Sequence, residues 1–296
     1  MKHCVKTQPE RVAGSVSAGK FLLLLVAVTL LPTLPARGNW VFDLRSGGLY
    51  DSNVSRSNRS EDVLDDAAWR TVITAGQGIQ LTDDVRLGVF AEVESHVWAT
   101  YDGLNNLRPG LGANLRYRFG LGKNAPWIRA ETKASYADFA EARRSGWEVR
   151  PGIRGGLRLT ERFALEAAYE YEHFAARDVR FDQEAHAASL RGTLAITSSM
   201  QIAVGYKFRH GDVNSYAVPP RPDIVKISKD FGPIDTFDTP YIAYRLAAST
   251  HSSSVAISQA LGNFAALQLS YEWQHTARES LRYTNHLAEL AVALSF

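Results

Sequence analysis

From residue 39 onward the chain alternates apolar and polar positions in segments of ten to fifteen residues. The cleanest runs from Ala265 to Gln274: Ala265, Leu267, Leu269, Tyr271 and Trp273 fall on one side, and Ala266, Gln268, Ser270, Glu272 and Gln274 on the other. A period of two is the mark of a strand with one apolar face, because successive side chains point to opposite sides. Met200, Ile202, Val204, Tyr206 and Phe208 repeat the pattern, as do Phe163, Leu165, Ala167, Tyr169 and Tyr171. Twelve strands are predicted, at 40–50, 69–81, 85–97, 107–119, 127–136, 147–159, 163–174, 184–197, 200–210, 246–261, 265–275 and 284–296.

The connections alternate in length. Short ones fall at 82–84, 120–126, 160–162, 198–199 and 262–264, and long ones at 51–68, 98–106, 137–146, 175–183, 211–245 and 276–283. Each segment meets the ~9–11 residues that a tilted strand needs to cross a bilayer. Short turns at one end and long loops at the other, with an even strand number, predict an all-β, transmembrane, antiparallel up-and-down β-barrel of 12 strands. Trp69, Trp147, Tyr171, Phe208 and Trp273 sit at the loop ends of five apolar faces. Such a girdle belongs where hydrocarbon meets headgroups.

The first residues follow a different rule. Lys2, Lys6, Arg11 and Lys20 precede the apolar run from Phe21 to Leu31, and Pro32, Pro35 and Ala36 follow it. That order predicts a cleaved signal peptide over 1–36 and a barrel over 37–296. The leader holds four of the 33 Lys and Arg and one of the 31 Asp and Glu, so the remainder has 29 basic and 30 acidic residues. A net charge of −1 replaces the formal +2, which removes the argument for a nucleic-acid partner. The single cysteine, Cys4, lies in the leader, leaving no disulfide framework or thiolate metal site. No zinc spacing, phosphate loop or nucleotide fingerprint appears, so no cofactor and no metal is expected.

The chain ends on Leu290, Val292, Leu294 and Phe296 alternating with Ala291, Ala293 and Ser295. This resembles the C-terminal signal of Gram-negative outer-membrane barrels, which implies recognition by the barrel-assembly machinery, a setting of outer-membrane lipid and lipopolysaccharide, and both termini in the periplasm. The stretch Gly47-Gly48-Leu49-Tyr50-Asp51-Ser52-Asn53-Val54 is similar to the first-strand exit of barrels near polysaccharide-export and surface-secretion loci. Asp, Ser and Asn also end strands by bonding to the backbone, a structural reading of the same residues.

By parity the inward face carries Arg108, Arg116, Arg118, Arg129, Lys133, Arg150, Arg154 and Arg158 on three adjacent strands. Glu92, Glu94, Glu131, Glu148, Glu166, Glu170 and Glu172 share or flank that sector. Charges inside a barrel need water or partners. One outcome is a wet basic track for anions, since guanidinium forks match carboxylates and phosphates. The other is an Arg/Glu network closing a scaffold barrel. The architecture is similar to that of the small 12-stranded porins for acidic oligosaccharides, which implies a channel for anionic solutes, oligosaccharides or exopolysaccharide.

A third reading is a lipid hydrolase, as in the 12-stranded outer-membrane phospholipases. His251 and Ser253 have the two-residue spacing and face outward by parity, but the Asn-Gly that follows in that family is missing. His96, inward beside Glu92 and Glu94, reads as part of the lumen network. The 211–245 loop holds Pro219, Pro220, Pro222, Pro233 and Pro240 and the acids Asp212, Asp223, Asp230, Asp235 and Asp238. A loop of this length folds into the mouth as a constriction or stays mobile. Its aspartates lack the spacing of a calcium loop.

Overall fold

The computed structural model describes residues 39–237 and 240–296, so the leader expected at 1–36 lies outside the described residues. The chain runs through β1 (Asn39–Asp51), β2 (Asp66–Gln80), β3 (Val85–Trp98), β4 (Asn106–Arg118), β5 (Trp127–Phe139) and β6 (Gly146–Arg158). It continues through β7 (Phe163–Ala176), β8 (Gln183–Ala195), β9 (Met200–Ala217), a four-residue β10 (Asp230–Pro233), β11 (Ile242–Ala260), β12 (Ala265–Arg278) and β13 (Leu281–Ser295). Neighbouring strands pair antiparallel, β9 bonds β11 directly, and β1 closes onto β13. Among the described residues this is a closed ring of twelve strands, with β10 attached to the loop-end part of β11. Each predicted strand falls on one ring strand.

Closure is completed at the turn end. Phe42 N donates to Phe296 O at 3.1 Å and Phe296 N returns a bond to Phe42 O at 2.9 Å. The Phe296 ring packs against Phe42 and Phe264, with centroids 6.2 and 5.8 Å away. Gly47 lets β1 and β13 approach, since a Cβ there would lie 2.1 Å from the Leu290 carbonyl oxygen. The ring leaves no open sheet edge to recruit another chain.

The outer face carries the predicted apolar residues in the open: Leu111 is 70% exposed, Val204 60% and Trp69 59%. A surface this apolar calls for a cover other than water. Strands of 13 to 15 residues such as β1, β2 and β4, tilted as in membrane barrels, span about 30 Å, the hydrocarbon thickness of a bilayer.

Parts of two predicted long loops are strand. β9 continues to Ala217 and β11 begins at Ile242, so the pairs from Asp212↔Ala247 to Ala217↔Ile242 extend the wall beyond the ring. Residues 212–217 are all buried. Alternation reports a one-sided strand, and burial on both faces erases it. The 276–283 loop is a hairpin: Arg278 pairs with Leu281, and Glu279 takes φ 45° in the turn. There Leu281 and Tyr283 turn inward and are buried, so their apolar character did not register as an outward face.

The remaining loops fold over the mouth. Val54, Leu104, Phe181, Tyr216, Ile234 and Phe237 meet in one apolar cluster, and Ile224, Tyr244, Leu246 and Leu281 anchor a second. Each large apolar side chain buried this way contributes roughly 1.5–3 kcal/mol. Arg221, fully enclosed, is partnered: it holds Asp223 at 2.9 Å and Asp62 at 3.4 Å and donates to Asn58 Oδ1 at 2.7 Å. Of the two outcomes for 211–245, the structure shows a packed cap. Three of its five aspartates are tied to cations: Asp212 to Lys229 and Arg245, Asp223 to Arg221, and Asp235 to Arg143. Among the described residues no group of His, Cys, Asp and Glu is arranged to hold a metal ion.

Candidate functional site: the lumen

The strand registers place all eight basic candidates and all seven acidic ones on the inner wall, but at different heights. Near the turn end, Arg86 faces Arg116, Arg116 faces Arg129, and Arg129 faces Arg154, a row of four across β3 to β6. Like charges directly opposite one another repel, so such a row needs anions nearby. It has two. Glu131 lies 2.7 Å from Arg129 and 3.1 Å from Arg154, and Glu166 lies 3.8 Å from Arg154. Arg86, Arg116 and Arg158 make no ion pair among the described residues, and Arg118 reaches only the Asp83 carbonyl at 3.4 Å.

Arg116 is held by an aromatic ring instead. Its guanidinium lies 4.5 Å from the centroid of Trp127, worth about 0.5–1 kcal/mol where water has access. The ring lies against Gly156, where a Cβ would come within 2.5 Å of it. Arg116, Arg118, Arg158, Trp127 and Glu166 line a cavity of ≈ 240 Å³.

Farther toward the loops the charges are matched. Lys133 lies 2.6 Å from Glu92, Arg150 2.6 Å and Arg108 3.8 Å from Glu148, and Arg209 2.7 Å from Glu172. Lys207 bridges Glu170 and Glu172 at 3.4 and 3.2 Å. Sequence reasoning left out three members of this wall. Arg45 meets Glu289 at 2.9 Å, and Arg70 meets Glu94 at 2.7 Å. With Arg86, all three were legible by the parity applied to the strands beside them. Glu94 also lies 3.7 Å from His96 Nε2, so His96 belongs to this network.

A central cavity of ≈ 420 Å³ has Arg45, Arg70 and Glu94 on one side and Arg191, Ser254, Ser258, Gln268 and Glu272 on the other. Under the cap a third, of ≈ 220 Å³, is lined by Arg108, Arg144, Arg150, Glu148, Asn214 and Tyr216. Arg144 stands in a helical turn of the loop and had no strand signal; it donates to Tyr216 Oη at 2.9 Å.

The hydrolase pair is differently occupied. His251 and Ser253 face outward on β11, but Nδ1 of His251 shares a 2.7 Å hydrogen bond with Tyr206 Oη, and no bond joins it to Ser253. The position where a hydrolase would carry an orienting acid or amide is taken by a phenol.

At the level of sequence no family model and no curated relative matches. The fold does match solved structures. An outer-membrane channel from Pseudomonas putida F1 superposes with a TM-score of 0.59 at 12% identity, covering 89% of this chain and 97% of that chain. The chain has the fold of a 12-stranded outer-membrane barrel. More distant are the NanC porin, at TM-score 0.49 and 12% identity over 86% of this chain and 98% of that one, and the KdgM porin solved with disordered oligogalacturonate, at 0.43 and 11% over 86% and 99%.

Proposed function

We propose that the protein is a porin-like channel of the bacterial outer membrane that passes hydrophilic anionic solutes or acidic glycans. In this reading residues 1–36 are the export signal, the turn end and both termini face the periplasm, and the capped loop end faces outward. Leu290 to Phe296 carry the assembly signal.

The observation that carries the reading is the arginine row near the turn end with its uncompensated neighbours. Arg86, Arg116, Arg118 and Arg158 concentrate positive charge where the lumen opens, and a scaffold network would have matched it. A passing carboxylate or phosphate supplies the missing partner, and the guanidinium fork suits both. A second reading, a non-conducting scaffold, draws on the ion pairs of the loop half and on the packed cap.

The test is conductance in a planar bilayer. Wild type is expected to favour anions, and Arg116→Glu with Arg158→Glu to shift the reversal potential toward cations, because charge at a narrow pore sets the barrier for ions. The preference should shrink in 1 M salt, where screening falls to ~3 Å. A folded protein that stays silent in the bilayer, with or without its cap, would favour the scaffold.

A further inference from the structure

Six strands in succession, β7, β8, β9, β11, β12 and β13, each turn one histidine outward near the loop end: His173, His186, His210, His251, His275 and His286. The chain has eight histidines; the other two are His3 and the lumen residue His96. In register the six form a stepped collar, since His173 faces Glu184, His210 faces Ser249 and His275 faces Thr284. His186 stands opposite His210, His251 opposite His275, and His286 opposite Trp273 of the aromatic girdle. On β1 to β6 the corresponding outward positions hold Tyr50, Trp69, Val97, Leu107, Tyr136 and Trp147, and no imidazole.

The imidazoles are held in a repeated way. Tyr169 Oη meets His186 Nδ1, Tyr206 Oη meets His251 Nδ1, and Tyr271 Oη meets His286 Nδ1, all at 2.7 Å. His210 Nδ1 meets Ser249 Oγ at 3.0 Å. With Nδ1 engaged, Nε2 is the ring's remaining polar atom, and in these four it has no partner among the described residues. A phenol that donates to Nδ1 leaves the proton on Nε2, making that atom a donor. The charged neighbours are few. Glu184 faces His173 and accepts from Tyr171 Oη at 2.5 Å, Asp212 beyond His210 is tied to Lys229 and Arg245, and Arg282 lies beyond Thr284, which faces His275.

We propose that this collar binds the phosphate groups of glycolipid in the leaflet at the loop end, giving one half of the barrel a fixed lipid shell. The occupant follows from three observations. The collar lies at and just beyond the aromatic girdle, the depth of headgroups in the membrane orientation proposed above. It offers donors in a row with little competing negative charge. One donor recurs on each of six neighbouring strands, which themselves pack about 5 Å apart, as a layer of headgroups would require and a single small ligand would not.

The inference rests on the membrane reading but not on conduction, and its test is independent of any current. Purified barrel in neutral detergent would be titrated with lipid A and with the same lipid stripped of its phosphates, and bound lipid counted by native mass spectrometry. The expected result is retention of the phosphorylated form about tenfold tighter than that of the stripped form. His186→Phe, His210→Phe, His251→Phe and His275→Phe together should abolish that difference. Equal retention of both lipids overturns the proposal without any variant being needed. So does a dimer that excludes lipid, which would assign the collar to a second copy of the chain. Conductance that persists alongside either failure would leave the channel reading standing and discard only the collar.

Discussion

The two ends of this lumen are built on opposite principles. At the loop end charges are matched and enclosed: Glu148 stands between Arg108 and Arg150, and a layer of Phe181, Tyr216, Ile234 and Phe237 lies above them. At the turn end Arg86, Arg116, Arg118 and Arg158 make no ion pair among the described residues, and the wall closes by the β1–β13 seam alone. The loop end spends apolar contacts on holding a shape, whereas the turn end leaves its charge available to solutes. One chain does both because the ring needs only main-chain pairing and a lipid-facing surface, so the inner wall is free to differ along its height.

Removing one element from each end separates these principles most sharply. Deletion of Phe296 takes away two seam hydrogen bonds and a ring packed on Phe42 and Phe264. Outer-membrane abundance and heat-modifiable mobility are expected to fall severely. Replacing residues 219–240 with a short Gly-Ser linker should leave a folded, heat-modifiable barrel, because none of the ring pairings runs through that segment. Its single-channel conductance should rise severalfold over wild type. Loss of the barrel on cap deletion, or unchanged abundance without Phe296, would reverse the assignment of roles.

Much of the ring was legible because a one-sided strand writes its orientation into every second residue. Parity alone put Arg116 and Glu131 on the same wall. Parity does not give height, however. That Lys133 on β5 reaches Glu92 on β3, two strands away, depends on register and on side-chain length. The cap was illegible for a different reason. Residues 212–217 are strand covered on both faces, and Arg144 and Phe181 sit in single helical turns too short to show a period. The histidine collar was present in the same parity that placed His251 outward, but its meaning appears only when six strands are laid side by side.

A smaller change probes the matched end. Glu148→Gln keeps the side chain's shape but removes the carboxylate that faces Arg108 and Arg150. Leaving two guanidinium groups against each other should cost about 2 kcal/mol, less than a fully dry site would show, because both arginines stay partly exposed. Thermal unfolding in detergent should register the loss, and anion preference should increase as the loop half gains free positive charge. At the turn end Glu166→Gln removes a weaker partner, 3.8 Å from Arg154, and is expected to change stability little. Equal losses at both positions would erase the distinction between the ends.

The smallest effect expected is the response of the cap to acid. Asp178 is held below the usual carboxylate range by its side-chain hydrogen bond from Arg180, and Asp223 likewise by the one from Arg221. Both lie in the loops beyond the membrane-spanning strands. A carboxyl whose folded-state value is lowered binds its proton more readily when unfolded. Its contribution is therefore fully present above the unfolded value of ~3.9 and is lost as pH falls through the lowered folded value. The cap should hold unchanged from neutral pH down to about 4 and loosen only below it. Limited proteolysis of the 218–237 segment by an acid-active protease, followed from pH 5 to pH 2, reads this directly. Cleavage should begin below pH ~4 in wild type and at a higher pH in Asp223→Asn, which lacks the charge that pairs with Arg221. The ring strands, held by main-chain pairing, should resist throughout. Cleavage of the cap already at pH 6 in wild type would mean that the apolar clusters and ion pairs over the mouth do not hold it closed, and that the two ends of the lumen are more alike than their side chains imply.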